Sequence, residues 1–403
     1  MPNTLLTPQV ITNELLRRFK NNLGFAGAVR REWDDRFAVK GGKIGDTLNI
    51  RVPVRFTASN GPTLVVQDVT ERSVPLVINT QRHVGFSFSS KDLTLTIDRF
   101  GDRYLDSAAV ALANAVDVDG LTLAYQSTYW AVGTPGTVPN NLKLYNQAGA
   151  KLDKASCPFD SKRSVVISPD MQVEIVDALK GLFQSSVQIK QQYEKGRMGT
   201  AAGFDWIVDQ NVRTHQVGPQ GGTPLVDGAG QTGGTLNTKG WTAAAGLRLR
   251  KGDIFTIANV FAVNPVSGDT LPDLQQFVVL NDVSSEANGN AQIPISPQII
   301  VSGPYRTVSA SPANNAAITV LGAANTLTPQ GLAFHEEAFT LAMVPMDLPQ
   351  GVHMAARSID RETGTSIRMV SQYDITNDLF VTRCDILYGW AATIPHFSVR
   401  IVS

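Results

Sequence analysis

The feature that most constrains the fold is the segment GDTLNIRVPVRF, which occupies residues 45–56. Its apolar side chains alternate with polar residues or proline, a pattern typical of a strand with one buried and one solvated face. The apolar positions are Leu48, Ile50, Val52, Val54 and Phe56. The surrounding sequence is polar and rich in proline and glycine. The pattern therefore predicts an apolar strand face without indicating what covers it.

This strand opens a long hairpin-like excursion over residues 40–90. The Asn-Gly pair in SNGP, at residues 59–62, predicts a turn, and HVGFSF at residues 83–88 alternates again. Pro53 and Pro75 suit edge strands, because proline cannot donate a hydrogen bond to a neighbouring strand. A long uncovered edge is an aggregation hazard, so we expect either the chain's own domain or another molecule to cover it.

The N-terminal residues 8–36 are predicted to form a helical arm. Its narrow apolar stripe consists of Val10, Ile11, Leu15 and Phe19. The charges between residues 15 and 31 are all positive: Arg17, Arg18, Lys20, Arg30 and Arg31. A short amphipathic arm ahead of the first folded unit has little of its own chain to pack on. We expect a partner-binding arm, and the alternative is a helix folded back on the main domain.

The rest of the chain alternates between mixed and all-β segments. Residues 98–127 carry a one-sided apolar stripe at helical spacing, which predicts a core helix: Leu105, Ala109, Leu112 and Val116. Ser168-Pro169-Asp170 predicts a helix start after the short strand SVVIS. Residues 218–240 are predicted to be a flexible glycine-rich joint. Short strands at turn spacing then predict an inserted antiparallel barrel or sandwich, before two long strands end the chain.

The composition excludes several functional classes. Thirty-five basic and thirty-five acidic residues give a net charge of zero, which argues against a dedicated nucleic-acid binder. The two cysteines, Cys157 and Cys384, are predicted to be reduced thiols rather than a disulfide framework. We find no apolar run long enough to span a bilayer and no signal-peptide pattern, so a cytoplasmic protein is expected.

Motifs for catalysis or cofactor binding are weak. GAGQTG at residues 228–233 matches a dinucleotide fingerprint as a string, but no strand precedes it and no helix is predicted after it. His335-Glu336-Glu337 lacks the second histidine of a metalloprotease helix, and the five histidines are scattered. Asp117 and Asp119 are predicted to be solvated. We therefore predict no catalytic, cofactor-binding or metal site.

Four stretches carry a resemblance to a known family. The most specific is SQYDITNDLFVTRCDILYGWAATIPHFSVRIV at residues 371–402. The others are LAFHEEAFTLAMVPM, GRMGTAAGFDWIVDQNV and RKGDIFTIANVFAVNP, at residues 332–346, 196–212 and 250–265. Together they resemble tailed-phage major capsid proteins, in particular the P22-like coat family. The resemblance implies an α+β HK97-like capsid fold with an N-arm, an E-loop hairpin, a spine helix, a P domain, an A domain and an inserted all-β barrel.

The resemblance also implies a domain order and a set of partners. The domains would be the N-terminal arm 1–39, the E-loop hairpin with flanking strands 40–95, the spine helix 96–130, the first P/A part 131–222, the inserted barrel 223–333 and the return strands 334–403. The implied function is a major capsid protein that self-assembles as pentamers and hexamers into an icosahedral shell around double-stranded DNA. Implied partners are other copies of the chain, a scaffolding protein, a portal protein at one vertex, a decoration protein and non-specifically held DNA, with no membrane and no cofactor. Such a protein is assembled in the bacterial host cytoplasm and ends in the virion capsid.

Two sets of residues are predicted to make the contacts of such a shell. Inter-subunit contacts of the hairpin are expected at Leu48, Ile50, Arg51, Val52, Val54, Arg55, Glu71 and Arg72. Contacts of the arm with a scaffold or other partner are expected at Glu14, Arg17, Arg18 and Lys20. Two alternatives remain at this point: an encapsulin-type nanocompartment shell, which is usually shorter, and a soluble α/β enzyme with a β lid.

Overall fold

The computed structural model describes residues 8–32, 46–56, 61–62, 64, 66–67, 71–89, 105–179, 199–360 and 363–403. Residues 33–36 of the predicted arm, residues 59–60 of the predicted turn and residues 98–104 of the predicted long helix lie outside these ranges. The chain divides into two compact units. Unit 1 comprises Met1–Ile50, Ser73–Gly120 and Phe339–Thr393, and unit 2 comprises Arg51–Arg72, Leu121–Ala338 and Ile394–Ser403.

The described helices and strands follow in chain order. The helices are α1 (Pro8–Asn21), α2 (Phe25–Ala28), α3 (Asp106–Ser127), α4 (Leu142–Lys154) and α5 (Pro169–Leu179), with 3₁₀ turns at Glu336–Ala338 and Pro395–Phe397. The first strands are β1 (Arg30–Glu32), β2 (Asp46–Val52), β3 (Arg72–Ile78), β4 (Thr80–Ser89), β5 (Ala131–Gly133), β6 (Arg163–Ile167), β7 (Thr200–Ala201), β8 (Phe204–Val208), β9 (Thr214–Gln216), β10 (Gly222–Val226), β11 (Gly233–Trp241) and β12 (Gly246–Leu249). The remaining strands are β13 (Ile254–Val263), β14 (Thr270–Val279), β15 (Val283–Ser285), β16 (Ala291–Ile299), β17 (Ile318–Val320), β18 (Leu327–His335), β19 (Phe339–Met343), β20 (Met354–Asp360), β21 (Thr365–Asp374), β22 (Leu379–Ala392) and β23 (Ser398–Val402). The predicted α+β class is confirmed.

Unit 1 is organised around the long strand β22. β22 pairs antiparallel with β4, β19 and β21, and the sheet runs in the order β1-β19-β22-β21-β20. Helix α1 contacts β20 and β21, and its Leu15 and Phe19 side chains are fully buried. The expectation that the arm has little to pack on within its own chain is therefore wrong. The sheet of unit 1 covers Leu15 and Phe19 of the stripe, whereas Val10 is 50% exposed.

Helix α3 supplies one side of the unit 1 core. Leu105, Leu112 and Val116 are buried, as their spacing predicts. Near the helix end, a Cβ at Gly120 would lie 2.5 Å from the Trp390 ring, so only glycine allows the indole to pack there. By length and composition α3 could cross a membrane, contrary to the sequence expectation, but half of its most apolar stretch is buried inside the protein. One such helix is weak evidence, because a core helix passes the same test.

Asp117 and Asp119 are not simply solvated, as the sequence predicted. Asp117 is buried and accepts hydrogen bonds from the backbone N–H groups of Gly24 and Ala26, at 2.8 and 2.7 Å. Asp119 accepts a 2.6 Å hydrogen bond from the Tyr388 hydroxyl and pairs with Arg82. The helix thus uses both carboxylates to hold neighbouring segments of unit 1, and the buried Asp117 needs its donors to offset its desolvation.

Unit 2 contains a mixed sheet with helices on it. Its strand order is β5-β23-β18-β6-β8-β7, with β9 paired to β18. Helix α5 begins as predicted, since the Ser168 hydroxyl accepts a hydrogen bond from the Met171 N–H and Pro169 occupies the first turn. Tyr145 and Leu152 of α4 and Met171 of α5 are buried against this sheet.

A second antiparallel sheet of unit 2 has the order β10-β11-β16-β14-β13-β17. An isolated bridge between Leu225 and Ala317 joins its two ends. Its interior contains Phe255, Phe277 and Ile293, all fully buried. The prediction of a flexible joint at residues 218–240 is wrong, because β10 and nearly all of β11 lie within it. Gly228 and Gly230, both with positive φ, lie in the turn between these two strands. That this sheet is a separately inserted barrel domain stays a prediction.

Candidate functional site: the hairpin and the N-terminal helix

The hairpin divides along its length into a covered part and an uncovered part. Near β2 and β3, Ile50, Leu76 and Ile78 are buried in a unit 1 cluster with Val344 and Leu387. Leu48 packs against the same cluster. The expectation that an adjacent subunit covers the whole apolar face is therefore wrong at Leu48 and Ile50, where the chain's own β19 and β22 region covers it.

A glycine explains how closely the hairpin approaches this core. A Cβ at Gly389 would lie 2.4 Å from the Val77 carbonyl oxygen and 2.9 Å from the Leu76 side chain. No other residue fits between β22 and β3 without moving the backbone. This assigns a packing role to the glycine in the Leu387-Tyr388-Gly389 motif.

Farther along the hairpin the apolar side chains lose their cover. Val52 and Val54 are half-buried, but Phe56 is 62% exposed, Leu64 is 85% exposed and Val66 is 82% exposed. Large side chains this exposed cost free energy in water, at roughly 25 cal/mol for each Å² of apolar surface. A group of them on an edge segment is a surface suited to binding another protein.

Two of the predicted contact residues instead hold an aromatic ring of the same unit. The Arg72 guanidinium lies 3.7 Å from the centre of the Tyr305 ring, and the Arg55 guanidinium lies 5.9 Å from it. The loop that carries Tyr305 is fixed by Arg306, whose guanidinium donates to the carbonyls of Val308 and Ser309 at 2.9 and 2.7 Å. We call Arg55, Arg72 and Tyr305 the arginine–tyrosine clamp.

Arg55 has a further partner in His396. The Arg55 guanidinium lies 2.9 Å from His396 Nε2. Since arginine only donates hydrogen bonds, Nε2 must accept, and the histidine is neutral with its proton on Nδ1. Burial, together with the positive charge of Arg55, lowers the pKa of His396 to about 3. Arg55 is therefore not the solvated ion-pairing residue that the alternation predicted.

The other predicted charges of the hairpin remain in solvent. Arg51 and Glu71 form an ion pair at 3.8 Å, with 81% and 64% of their side chains exposed. Such a pair contributes about 0–1 kcal/mol. Together with Val52 and Val54, these residues stay predicted inter-subunit contacts.

The predicted partner residues of the arm are largely engaged within unit 1. Glu14 pairs with Arg17 at 2.6 Å and with Arg18 at 2.7 Å, and the hydrogen bond from Arg17 is the main reason that the pKa of Glu14 falls to about 2. Arg18 also pairs with Asp106 at 2.5 Å, and Lys20 pairs with Asp360. Arg17 is the most open of the four, with 61% of its side chain exposed. Their contact with a scaffold stays a prediction.

The weak motifs that the sequence contains can be located in the described ranges. No group of three or more His, Cys, Asp or Glu residues there could hold a metal ion. The GAGQTG string forms the turn between β10 and β11, which is not a phosphate-binding strand-to-helix turn. Cys157 and Cys384 are free and buried, and burial raises the pKa of each thiol to about 12.

Sequence reasoning missed Tyr305 and His396 entirely. Tyr305 lies roughly 230 to 250 positions from the two arginines that it contacts, and no local pattern links such distant residues. A solitary tyrosine after Gly-Pro and a histidine after proline give no distinctive signal. Only the folded arrangement identifies them.

Comparisons with known proteins give a family and several structural similarities. A family model described as "P22 coat protein - gene protein 5" matches residues 3–401. A structure of Mycobacterium phage Che8 is 14% identical and covers 94% of this chain and 90% of that chain, with a TM-score of 0.48. The capsid of Ralstonia phage GP4 is 8% identical and covers 93% and 87%, with a TM-score of 0.44. The CUS-3 coat protein I-domain is 28% identical and covers 25% of this chain and 95% of that chain, with a TM-score of 0.19. A search of curated proteins finds no match.

Proposed function

The chain belongs to the P22 coat protein family, and from that premise we propose how its subunits form a shell. It is a phage major capsid protein: a structural, non-enzymatic component of the virion that self-assembles with other copies of itself. The family match over residues 3–401 carries this conclusion and does not favour the encapsulin or enzyme alternatives. We propose further that the phage is tailed, that the shell is icosahedral with pentamers and hexamers, and that it encloses double-stranded DNA.

In this proposal the uncovered part of the hairpin binds the next subunit of a ring. Phe56, Leu64 and Val66 expose apolar surface that their own unit does not cover. Each such side chain, when buried, contributes about 1.5–3 kcal/mol. Because the hairpin of one copy binds a different surface on the next, the contact is heterologous and closes into rings. The same contact, repeated around rings of five and six, would carry much of the stability of the shell.

In this proposal the covered part of the hairpin orders the exposed part that binds the neighbouring subunit. The cluster around Ile50 and Leu76 and the arginine–tyrosine clamp both hold segments that flank the exposed side chains. A preorganised binding segment loses less conformational entropy when it docks, which favours affinity. We propose that the subunit presents an ordered hairpin root and reserves only its outer part for the neighbour.

The arm is proposed to contact scaffolding protein through its open basic side chains, with Arg17 as the most exposed. Glu14, Arg18 and Lys20 would take part only if they exchanged their present ion-pair partners. A portal protein at one vertex, a decoration protein and non-specifically held DNA are the further partners of the proposal. Assembly in the host cytoplasm belongs to it as well.

Electron microscopy of the purified full-length protein tests the proposal. Negative-stain images and size-exclusion chromatography should give shells or ring oligomers in addition to the 43.4 kDa subunit. Native particles should also contain nuclease-protected DNA, which distinguishes a virion from an encapsulin. A protein that stays a monomer at all concentrations, with or without scaffold, would contradict the proposal.

A further inference from the structure

A small cavity lined by both polar and apolar residues lies in unit 2 beside the last strand of the chain. The space open to the centre of a water-sized sphere is about 10 Å³, which is the room that one water molecule requires. The polar residues that line it include His215, Asp253, Thr328, Gln330 and Arg400, and all of them are more than nine-tenths buried. Buried polar atoms are nearly always hydrogen-bonded, so the partners of each one can be checked in turn.

The amide of Gln330 leaves its oxygen without a partner. Its Nε2 donates to the Thr328 carbonyl oxygen at 3.0 Å and to the Thr328 hydroxyl at 2.6 Å. Exchanging the amide nitrogen and oxygen would place two acceptors against each other, so this orientation is fixed. Gln330 Oε1 is then a buried acceptor that finds no donor among the described residues.

The guanidinium of Arg400 leaves a donor without a partner. Its Nη2 donates to the Gly252 carbonyl oxygen at 2.7 Å, which fixes the plane of the group. Its Nε is buried and finds no acceptor in the described part of the chain. Asp253 is already engaged, because its oxygens accept from His215 Nε2 at 2.8 Å and from the Arg250 N–H at 2.7 Å.

The strand register places Gln330 and Arg400 on the same face of the sheet. Gln330 of β18 lies opposite Val402 of β23, and Leu332 lies opposite Arg400. Gln330 and Arg400 are therefore diagonal neighbours on the same face, since side chains two positions apart point the same way. Diagonal pairs are about 7–8 Å apart at the backbone, which is within reach of long side chains such as those of arginine and glutamine.

We propose that this cavity is a binding site for a single water molecule, which accepts a hydrogen bond from Arg400 Nε and donates one to Gln330 Oε1. The chemistry of the two atoms selects the ligand. The Asp253 carboxylate, which lines the same cavity, disfavours an anion, and the Arg400 guanidinium disfavours a cation. Water both accepts and donates, and buried waters of this kind belong to the structure. The water links the C-terminal strand to β18 through groups that otherwise stay unsatisfied.

A cryo-electron microscopy map of assembled full-length protein, at a resolution that shows ordered water, tests the site. We expect a density peak about 2.7–3.2 Å from both Arg400 Nε and Gln330 Oε1 in every independent subunit. Absence of a peak in a map that shows other buried waters would overturn the proposal. So would a peak that touches only one of the two atoms.

A pair of variants sharpens the test. Gln330→Met keeps a side chain of similar length but removes the acceptor, and the peak should disappear. Gln298→Met is the matched control, since it makes the same substitution at an exposed position of β16 outside the cavity, and the peak should persist. Retention of the peak in Gln330→Met would overturn the proposal. If that variant does not fold, the map of the unsubstituted protein decides.

Discussion

The six-stranded antiparallel sheet that runs from β10 to β17 in the order given above and the hairpin of β2 and β3 have the same kind of sequence pattern, but their apolar faces are covered differently. Both show apolar residues in alternation. In the sheet, the inward residues meet one another, as where the Phe255 and Phe277 rings stack with centroids 5.7 Å apart. In the hairpin, the apolar face is covered as far as Ile50, whereas the side chain of Phe56 is exposed to solvent. Alternation thus predicts that a strand has an apolar face, but not which molecule covers it.

The difference follows from where each strand can find partners. The ends of the sheet are joined by the bridge between Leu225 and Ala317, so its inner face is enclosed by its own strands. The outer part of the hairpin is an edge segment, and proline at position 53 suits such an edge. We therefore expect substitutions in the sheet to affect the subunit, and substitutions in the outer hairpin to affect assembly.

The largest expected effect is on the sheet interior. Phe255→Ala should lower the free energy of unfolding of the subunit by about 3–5 kcal/mol, because it removes a fully buried ring and leaves a cavity. Chemical denaturation of the purified subunit measures this. Phe255→Leu is the matched control and should cost far less, since it keeps most of the volume. Equal losses for both variants would contradict a tightly packed interior.

Substitutions in the outer hairpin should affect assembly and leave the stability of the isolated subunit almost unchanged. Leu64→Asn combined with Val66→Asn should change the stability of the isolated subunit by no more than about 0.5 kcal/mol, because both side chains are exposed there. The same variant should lose about 1.5–3 kcal/mol for each side chain at the inter-subunit contact. The concentration needed for assembly, followed by light scattering, should rise by at least about a hundredfold.

The control for that experiment is Val266→Asn, which places the same amide at a site that is 73% exposed in unit 2 and outside the hairpin. We expect it to assemble normally. If the hairpin variant assembles as well as this control, the outer hairpin is not the contact. If it destabilises the isolated subunit by more than 1 kcal/mol, its side chains are covered within their own chain.

The sequence predicted more of the unit cores than of the candidate site. The stripe of α3 and the helix start at Ser168 follow from local patterns, and both are confirmed. The strands within residues 218–240 were missed because glycine weakens the strand signal, although Leu236 is fully buried there. The clamp on Tyr305 was missed because the alternation of Arg55 with apolar residues predicts only a solvated side chain. Local sequence patterns do not predict contacts between segments that are distant in the chain.

The clamp region also predicts a pH dependence. The pKa of His396 is lowered from 6.5 to about 3, mainly by burial. Between these values the unfolded chain binds a proton that the folded chain does not, so the free energy of unfolding falls as the pH falls through 6.5. At pH 5 the loss is about 2 kcal/mol. His396→Gln does not titrate, so its unfolding midpoint should depend less steeply on pH between 4.5 and 7; parallel curves would contradict the prediction.

A smaller effect is expected for the aromatic ring of the clamp. Tyr305→Leu removes the face on which the Arg72 guanidinium lies, at 3.7 Å, and should cost the subunit about 1 kcal/mol. Tyr305→Phe keeps the ring and should retain most of that energy. If the clamp preorganises the hairpin, Tyr305→Leu should also slow assembly more than Tyr305→Phe does. Identical assembly rates for the two variants would show that the clamp contributes to the stability of the subunit but not to assembly.

The smallest effect is expected for the solvated charged pair of the hairpin. Arg51 and Glu71 are largely exposed and 3.8 Å apart, so a double-mutant cycle with Arg51→Ala and Glu71→Ala should give a coupling energy below about 1 kcal/mol in the isolated subunit. The same cycle measured on assembly should give a larger coupling if a neighbour covers the pair, because removal of water strengthens charge interactions. Added salt should weaken the coupling in the subunit and affect it less in the shell, since buried pairs are screened less. A coupling energy that is equally small and equally salt-sensitive in the subunit and in the shell would place the pair outside the inter-subunit contact. The energy of that contact would then come from the apolar side chains.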